Sequence, residues 1–258
     1  MSPTDGPFLY DNVSYQPSRS RKKRKKHAPS IEDSAQSRLD RTIAELSSSA
    51  WLAACTTLLK QGLSAFGKRP SEILCLGLGS PCASAEARRQ LCFLVHLRDV
   101  LQICPQNVLA CDPIFSDGDV SCLRQCDVVQ LTDNKMGKYR LDKPSIAFMP
   151  HCTATLYENL LRENWSTACL SNIVVIGNCL AEYVDATPVR KLQTEYPCIA
   201  RLVPYLVVHV FPAYAPHAAT FFNTAVQFAI MENLPAENDS FWDLPEASLV
   251  HADDGEIR

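Results

Sequence analysis

The nine residues Ile73-Leu74-Cys75-Leu76-Gly77-Leu78-Gly79-Ser80-Pro81 constrain this chain more than any other stretch. Four apolar residues run into a glycine-punctuated turn, and a helical pattern follows. A short, continuously apolar run predicts a strand buried on both faces, as in parallel sheets. Gly77 and Gly79 permit positive φ and let a backbone or a ligand come close. Ser80 can cap the next helix or bond an anion, and unpaired amides with the helix dipole would favour negative charge there. The spacing is G-x-G, without the third glycine of the dinucleotide fingerprint, so a ligand-holding loop and a packing turn both fit it.

On either side of this stretch, helical and strand patterns alternate. Residues 34–63 carry Leu39, Ile43, Leu46, Ala50, Leu52, Leu58 and Leu59 at helical spacing, with Asp33 or Ser34 as a start cap. Residues 84–103 predict the first crossover helix, capped by Ser84 and buried through Leu91, Leu94, Val95, Val100 and Leu101. Strands are predicted over 108–113, 128–131, 145–151, 172–178 and 206–211, with helices over 155–164 and 187–195. Residues 225–230 predict a seventh strand, antiparallel at the sheet edge. Strands alternating with helices and joined by right-handed crossovers give a Rossmann-like three-layer α/β/α sandwich with a mainly parallel sheet.

At 258 residues one α/β domain with two tails is expected: a basic disordered segment over 1–35, the folded domain over 36–231 with its core at 73–180, and an acidic tail over 232–258. Phe241 and Trp242 are the expected anchors of that tail. Arg19, Arg21, Lys22, Lys23, Arg24, Lys25 and Lys26 supply seven positive charges, and without them the net charge falls from -3 to -10. The folded part is therefore a poor nucleic-acid surface, and contact with RNA or nuclear import would run through residues 19–27. No apolar run reaches the ~18 residues a membrane span needs, and the N-terminus lacks a signal-peptide layout. Most of the 12 cysteines sit in apolar runs and read as small buried hydrophobes of a reducing compartment. Cys122 and Cys126, spaced C-x3-C without a matching second pair, do not make a zinc site, and no metal is expected.

In a sheet of this kind ligands bind beyond the carboxyl ends of the strands. Gly77, Gly79, Ser80, Asp112, His151 and Asn178 fall at those ends and are the candidate ligand-binding residues. Asp112 lies 33 residues after Gly79, beyond the usual spacing of a ribose-binding carboxylate, and turn-capping before Pro113 suits it equally. His151, between a proline and Cys152, is the least ordinary of the six as a turn residue.

These residues resemble the sensitivity-to-red-light-reduced (SRR) domain family. The carriers are L-G-L-G-S at residues 76–80, Arg89-Gln90-Leu91, and D-P-x-F-S at 112–116. They continue through Asn134, Gly137 and Lys138, residues 149–152, Leu156-Tyr157-x-Asn159-Leu160-Leu161 with Asn164-Trp165, and Ile176-Gly177-Asn178. The chain departs from the family where Phe-Asn-Asp-Thr becomes Phe221-Phe222-Asn223-Thr224, losing the carboxylate, and where Gln227 stands in place of a histidine. The resemblance implies a cytoplasmic regulatory protein linked to circadian clock-gene expression and to haem biosynthesis, acting through protein partners or a bound small molecule.

The alternative is a Rossmann-like enzyme using S-adenosylmethionine or a nucleotide, with the glycine loop and Asp112 on the cofactor and His151 as general base. No complete catalytic constellation accompanies it, so no catalytic residue is assigned. The cofactor stays open. No C-x-x-C-H attachment motif is present for haem, and regulating haem synthesis does not require binding it.

Overall fold

Ile73 and Cys75 pack into one apolar core and Leu74 and Leu76 into another, so a single five-residue strand separates two layers. The computed structural model that shows this describes residues 34–245; the basic run and the outer parts of both expected tails lie outside the described residues. Helices α1 (Ala35–Ser47) and α2 (Ala50–Phe66) lead into β1 (Glu72–Leu76). Then follow α3 (Ala85–Leu101), β2 (Val108–Cys111), α4 (Asp117–Gln125) and β3 (Val129–Gln130). The next group is β4 (Ser145–Met149), α5 (Ala154–Glu163), α6 (Thr167–Leu170) and β5 (Ile173–Asn178). Helices α7 (Leu180–Ala186), α8 (Val189–Glu195) and α9 (Pro197–Leu202) precede β6 (Leu206–Val210) and β7 (Thr224–Ala229).

The described strands form one sheet in the order β3-β2-β1-β4-β5-β7-β6. β1 pairs in parallel with β2 and β4, and β4 with β5. On one face α1 to α4 cover Ile73, Cys75, Ile146, Phe148, Val174 and Ile176. On the other, helices from α5 onward cover Leu74, Leu76, Ala147, Met149 and Val175. This is the expected three-layer α/β fold, and β1, β4 and β5 are largely apolar because both faces of the sheet are covered there.

The structure redraws the expected elements in four places. β7 is antiparallel but does not lie at the edge; it is inserted between β5 and β6. All six of its residues are buried, whereas β6 keeps Val208 and Val210 exposed and takes the edge. The stretch read as one helix over 187–195 is preceded and followed by two more, α7 and α9. Helix α4 was not expected at all. On α3 the deepest side chains include Phe93 and Leu97 beside Leu91 and Leu94, while Val95, Val100 and Leu101 are only partly buried. Residues 234–244 pack on the second core, where Trp165 stacks on Phe241 at 5.0 Å.

Candidate functional site

From β1 the chain winds outward through β2 and β3, and from β4 it winds the other way, so a crevice opens beyond the carboxyl ends of β1 and β4. A cavity of about 510 Å³ fills it. Its walls are the glycine loop, the first turns of α3, residues 112–114 after β2, Asn134, Met136 and Gly137, residues 150–152 after β4, and Leu156 of α5.

Two carboxylates shape the glycine loop. Gly79, at φ +75°, donates its N–H to Asp112 Oδ2 at 2.7 Å, while Asp112 Oδ1 accepts from Ile114 N at 3.0 Å. The Ser80 hydroxyl and Cys82 N donate to Asp119 Oδ1 at 2.8 and 2.9 Å. Ser116 N and Oγ donate to Asp119 Oδ2 at 2.9 and 2.7 Å. Burial alone would raise the Asp119 pKa; the donors from Cys82, Ser116 and Ser80 outweigh it and hold the group at about 2. An anion at Ser80, one of the two roles open to it, is thereby disfavoured, because Gly79 N, Ser80 Oγ and Cys82 N already donate to carboxylates and Asp112 and Glu86 put negative charge on the cavity wall.

Gly77 has a different reason to be glycine. Its φ is +68°, and a Cβ there would stand 2.6 Å from Cys152 Sγ, whose thiol donates to Leu76 O at 3.2 Å. The turn after β4 thus seats directly on the end of β1.

His151 sits at that turn with φ +53°, a left-handed conformation uncommon for a residue with a Cβ. Its N–H donates to Asn178 Oδ1 at 3.2 Å, and its Nε2 lies 3.0 Å from Thr220 O. A carbonyl only accepts, so Nε2 is the donor in this contact. The same Thr220 carbonyl accepts from Gln90 Nε2 at 3.0 Å, joining α3 to this turn.

Gly77, Gly79, Ser80, Asp112 and His151 all line the cavity; Asn178 stands behind it. The Asn178 side chain holds the turn, donating Nδ2 to Tyr183 Oη at 2.7 Å and to Cys152 O at 3.4 Å. The Tyr157 hydroxyl donates to Met149 O at 2.5 Å and accepts from Asn178 N at 2.8 Å, so β4 and β5 end in fixed register. Gln227, singled out as a departure from the SRR pattern, accepts from Leu180 N at 2.8 Å and donates to Asn178 O at 2.9 Å.

Sequence reasoning missed Asp119, Ile114 and Met136. Asp119 had a readable signal: Ser116-x-x-Asp119 is a capping box, and both of its reciprocal bonds are present. Ile114 and Met136 are 58% and 40% exposed, and both line the cavity. Among the described lining residues the charged side chains are Glu86 and Asp112, with no Lys or Arg. Glu86 is held below the usual carboxylate range by its own backbone N–H and by the Ser84 hydroxyl. Among the described residues no cluster of His, Cys, Asp and Glu is placed to hold a metal, and no helix is long and apolar enough to cross a membrane.

Comparison with known sequences matches residues 54–245 to the SRR1 domain. An SRR1-like protein of Mus musculus is 36% identical over 130 residues, covering 50% of this chain and 52% of that protein. An SRR1-like protein of Drosophila melanogaster is 28% identical over 208 residues, or 80% and 73% of the two chains. Protein Sensitivity to Red Light Reduced 1 of Arabidopsis thaliana is 31% identical over 114 residues, 44% and 42%. The aligned stretch thus spans about half the mouse relative and less of the plant one. No solved structure matches.

Proposed function

Because this chain belongs to the SRR1 domain family, we propose that it is a regulatory protein acting in circadian clock-gene expression and in control of haem biosynthesis, through partners or a small molecule held in the cleft. A regulatory class is supported by the relatives, one of which is named for reduced sensitivity to red light. The clock and haem assignments rest on the resemblance of the L-G-L-G-S and D-P-x-F-S segments. The cytoplasm is the proposed site of action, with nuclear access through residues 19–27.

One observation carries the small-molecule part. Five residues chosen from separate strand ends converge on one cavity at the switch in strand order, where open α/β sheets bind their ligands. The test is a thermal-shift screen of the full chain against S-adenosylmethionine, NAD(P), ATP, GTP and haem. A ligand at 100 times its dissociation constant adds about 2.7 kcal/mol. Gly79→Val should abolish the shift, since valine is strained at φ +75°. In cells, the same folded but ligand-blind variant should flatten clock-transcript rhythms and alter haem synthesis. No shift with any probe, or unchanged rhythms and haem synthesis, would remove this reading.

A second reading, an enzyme using S-adenosylmethionine or a nucleotide, is favoured by the strand order. The switch in strand order between β1 and β4 is where open α/β sheets hold nucleotide cofactors. That rule is one of fold, and folds host many functions. His151, at the cavity wall, is the base such an enzyme would use.

A further inference from the structure

We propose that the cleft selects an adenosyl compound bearing net positive charge and no phosphate, the chemical class of S-adenosylmethionine. This rests on the reading that the cleft holds a small molecule, and it says which kind.

Charge decides against phosphates. A nucleotide or dinucleotide site needs Lys, Arg or unclaimed backbone donors around the phosphoryl oxygens. The lining residues supply neither cation. Gly79 N, Ser80 Oγ and Cys82 N, the donors a phosphate would use, point into Asp112 and Asp119. Glu86 on the first turn of α3 adds negative charge at the place where a phosphate-binding loop would be most positive. On this partly open wall the carboxylates repel anions and attract a sulfonium or ammonium group.

The rest of the wall suits adenosine. The two Asp112 oxygens each accept one backbone N–H, and a carboxylate has about four acceptor positions, which leaves room for a pair of vicinal ribose hydroxyls. Ile114 and Met136 present exposed apolar surface to the same cavity, as a flat heteroaromatic ring requires. Met136 is held at φ +51° with Asn134 Oδ1 accepting its N–H at 2.9 Å, so a non-glycine residue adopts an uncommon conformation at the cavity wall. With that oxygen engaged, the Asn134 amide N–H2 is left to donate to a ring nitrogen of adenine.

The test is isothermal titration of the full chain with S-adenosylmethionine, ATP and NAD. S-adenosylmethionine should bind at least tenfold tighter than either phosphate compound. Asp112→Asn should weaken it by about tenfold through loss of charge-assisted bonds to the ribose. Ile114→Ser removes an exposed side chain, keeps the loop intact and should weaken it several-fold. Glu86→Lys should lower affinity for S-adenosylmethionine and raise it for ATP, a change of sign that a structural role would not produce. Tighter binding of ATP or NAD would overturn the proposal while sparing the cleft. Binding that ignores Ile114→Ser and Glu86→Lys would overturn it too, and no binding by any probe, in titration or in the screen, would remove both.

Discussion

The Ser80 hydroxyl donates to Asp119 Oδ1 at 2.8 Å across 39 positions of sequence, and through it the cap of α4 becomes the clamp of the glycine loop. Asp119 is fully buried and accepts only donors: Ser80 Oγ, Cys82 N, and both Ser116 N and Oγ. Asp119→Asn would turn an N–H2 toward some of them, and a cost of about 2–3 kcal/mol at pH 7 is expected. The folded pKa of about 2 lies below the ordinary 3.8, so the carboxylate's contribution is present above 3.8 and lost as pH falls toward 2. Urea unfolding from pH 5 to pH 2 should therefore bring wild type and Asp119→Asn together, the difference shrinking by about 2 kcal/mol. A constant difference would show that the charge is not what holds the loop.

Gly177 owes its identity to Tyr157. A Cβ at position 177 would strike the Tyr157 hydroxyl and stand 2.5 Å from Met149 O. Gly177→Ala should cost about 1–3 kcal/mol by overpacking, and Tyr157→Phe about 1–3 kcal/mol by leaving Asn178 N without its acceptor. The two changes should not add, because removing the hydroxyl relieves part of the clash. A double-mutant cycle by denaturant unfolding measures this; strict additivity would place the origin of the glycine elsewhere.

The elements that were legible in advance are those whose physics is local. β1, β4 and β5 announce themselves as apolar runs because both faces of the sheet are covered, and Ser84 marks the start of α3 through its bond to Ala87 N. Helix α4 escaped because Asp117, Gly118 and Asp119 swamp its short apolar set of Val120, Cys122 and Leu123. Its capping box was the signal to use. The place of β7 escaped because strand order is set by pairing across long stretches of chain, which periodicity does not record. Five cavity-lining residues followed from the rule about strand ends. Ile114, Met136 and the Asp119 clamp did not, since exposure and side-chain pairing belong to the folded molecule.

Glu158 carries the opposite pH signature to Asp119. Its carboxylate is buried and accepts from Cys198 N at 3.0 Å and Ile199 N at 3.1 Å, capping the start of α9. Burial raises its pKa above the ordinary 4.5, and the bonds from Cys198 and Ile199 with the Arg162 charge offset this only in part. A raised folded pKa means that stability is gained as pH falls through it, is complete below 4.5, and is lost again on the way up. Glu158→Gln, which cannot titrate, should lie closest to wild type at neutral pH and fall behind it on acidification toward 4.5. Glu158→Ala leaves two buried N–H groups unpaired and should cost about 2–4 kcal/mol at neutral pH, the cost growing on acidification as for Glu158→Gln. Parallel stability curves for wild type and Glu158→Gln between pH 7 and 4.5 would contradict the assignment.

The segment after β7 is held by rings. Phe241 stacks on Trp165 at 5.0 Å and meets Tyr205 edge-on at 5.3 Å, while Trp242 approaches Trp165 at 5.7 Å. The Arg201 guanidinium donates to the carbonyls of Ser240, Phe241 and Asp243, closing the segment over α9. Aromatic pairs of this kind are worth about 0.5–1.5 kcal/mol beyond the area they bury. Phe241→Ala should therefore free residues 231–245 before the rest of the domain opens. Limited proteolysis should cut the variant within this segment many times faster than wild type. Amide exchange in β1 and β4 should stay unchanged, because their partners lie in the sheet. Exchange that rises equally across the sheet would mean instead that this segment is part of the cooperative core.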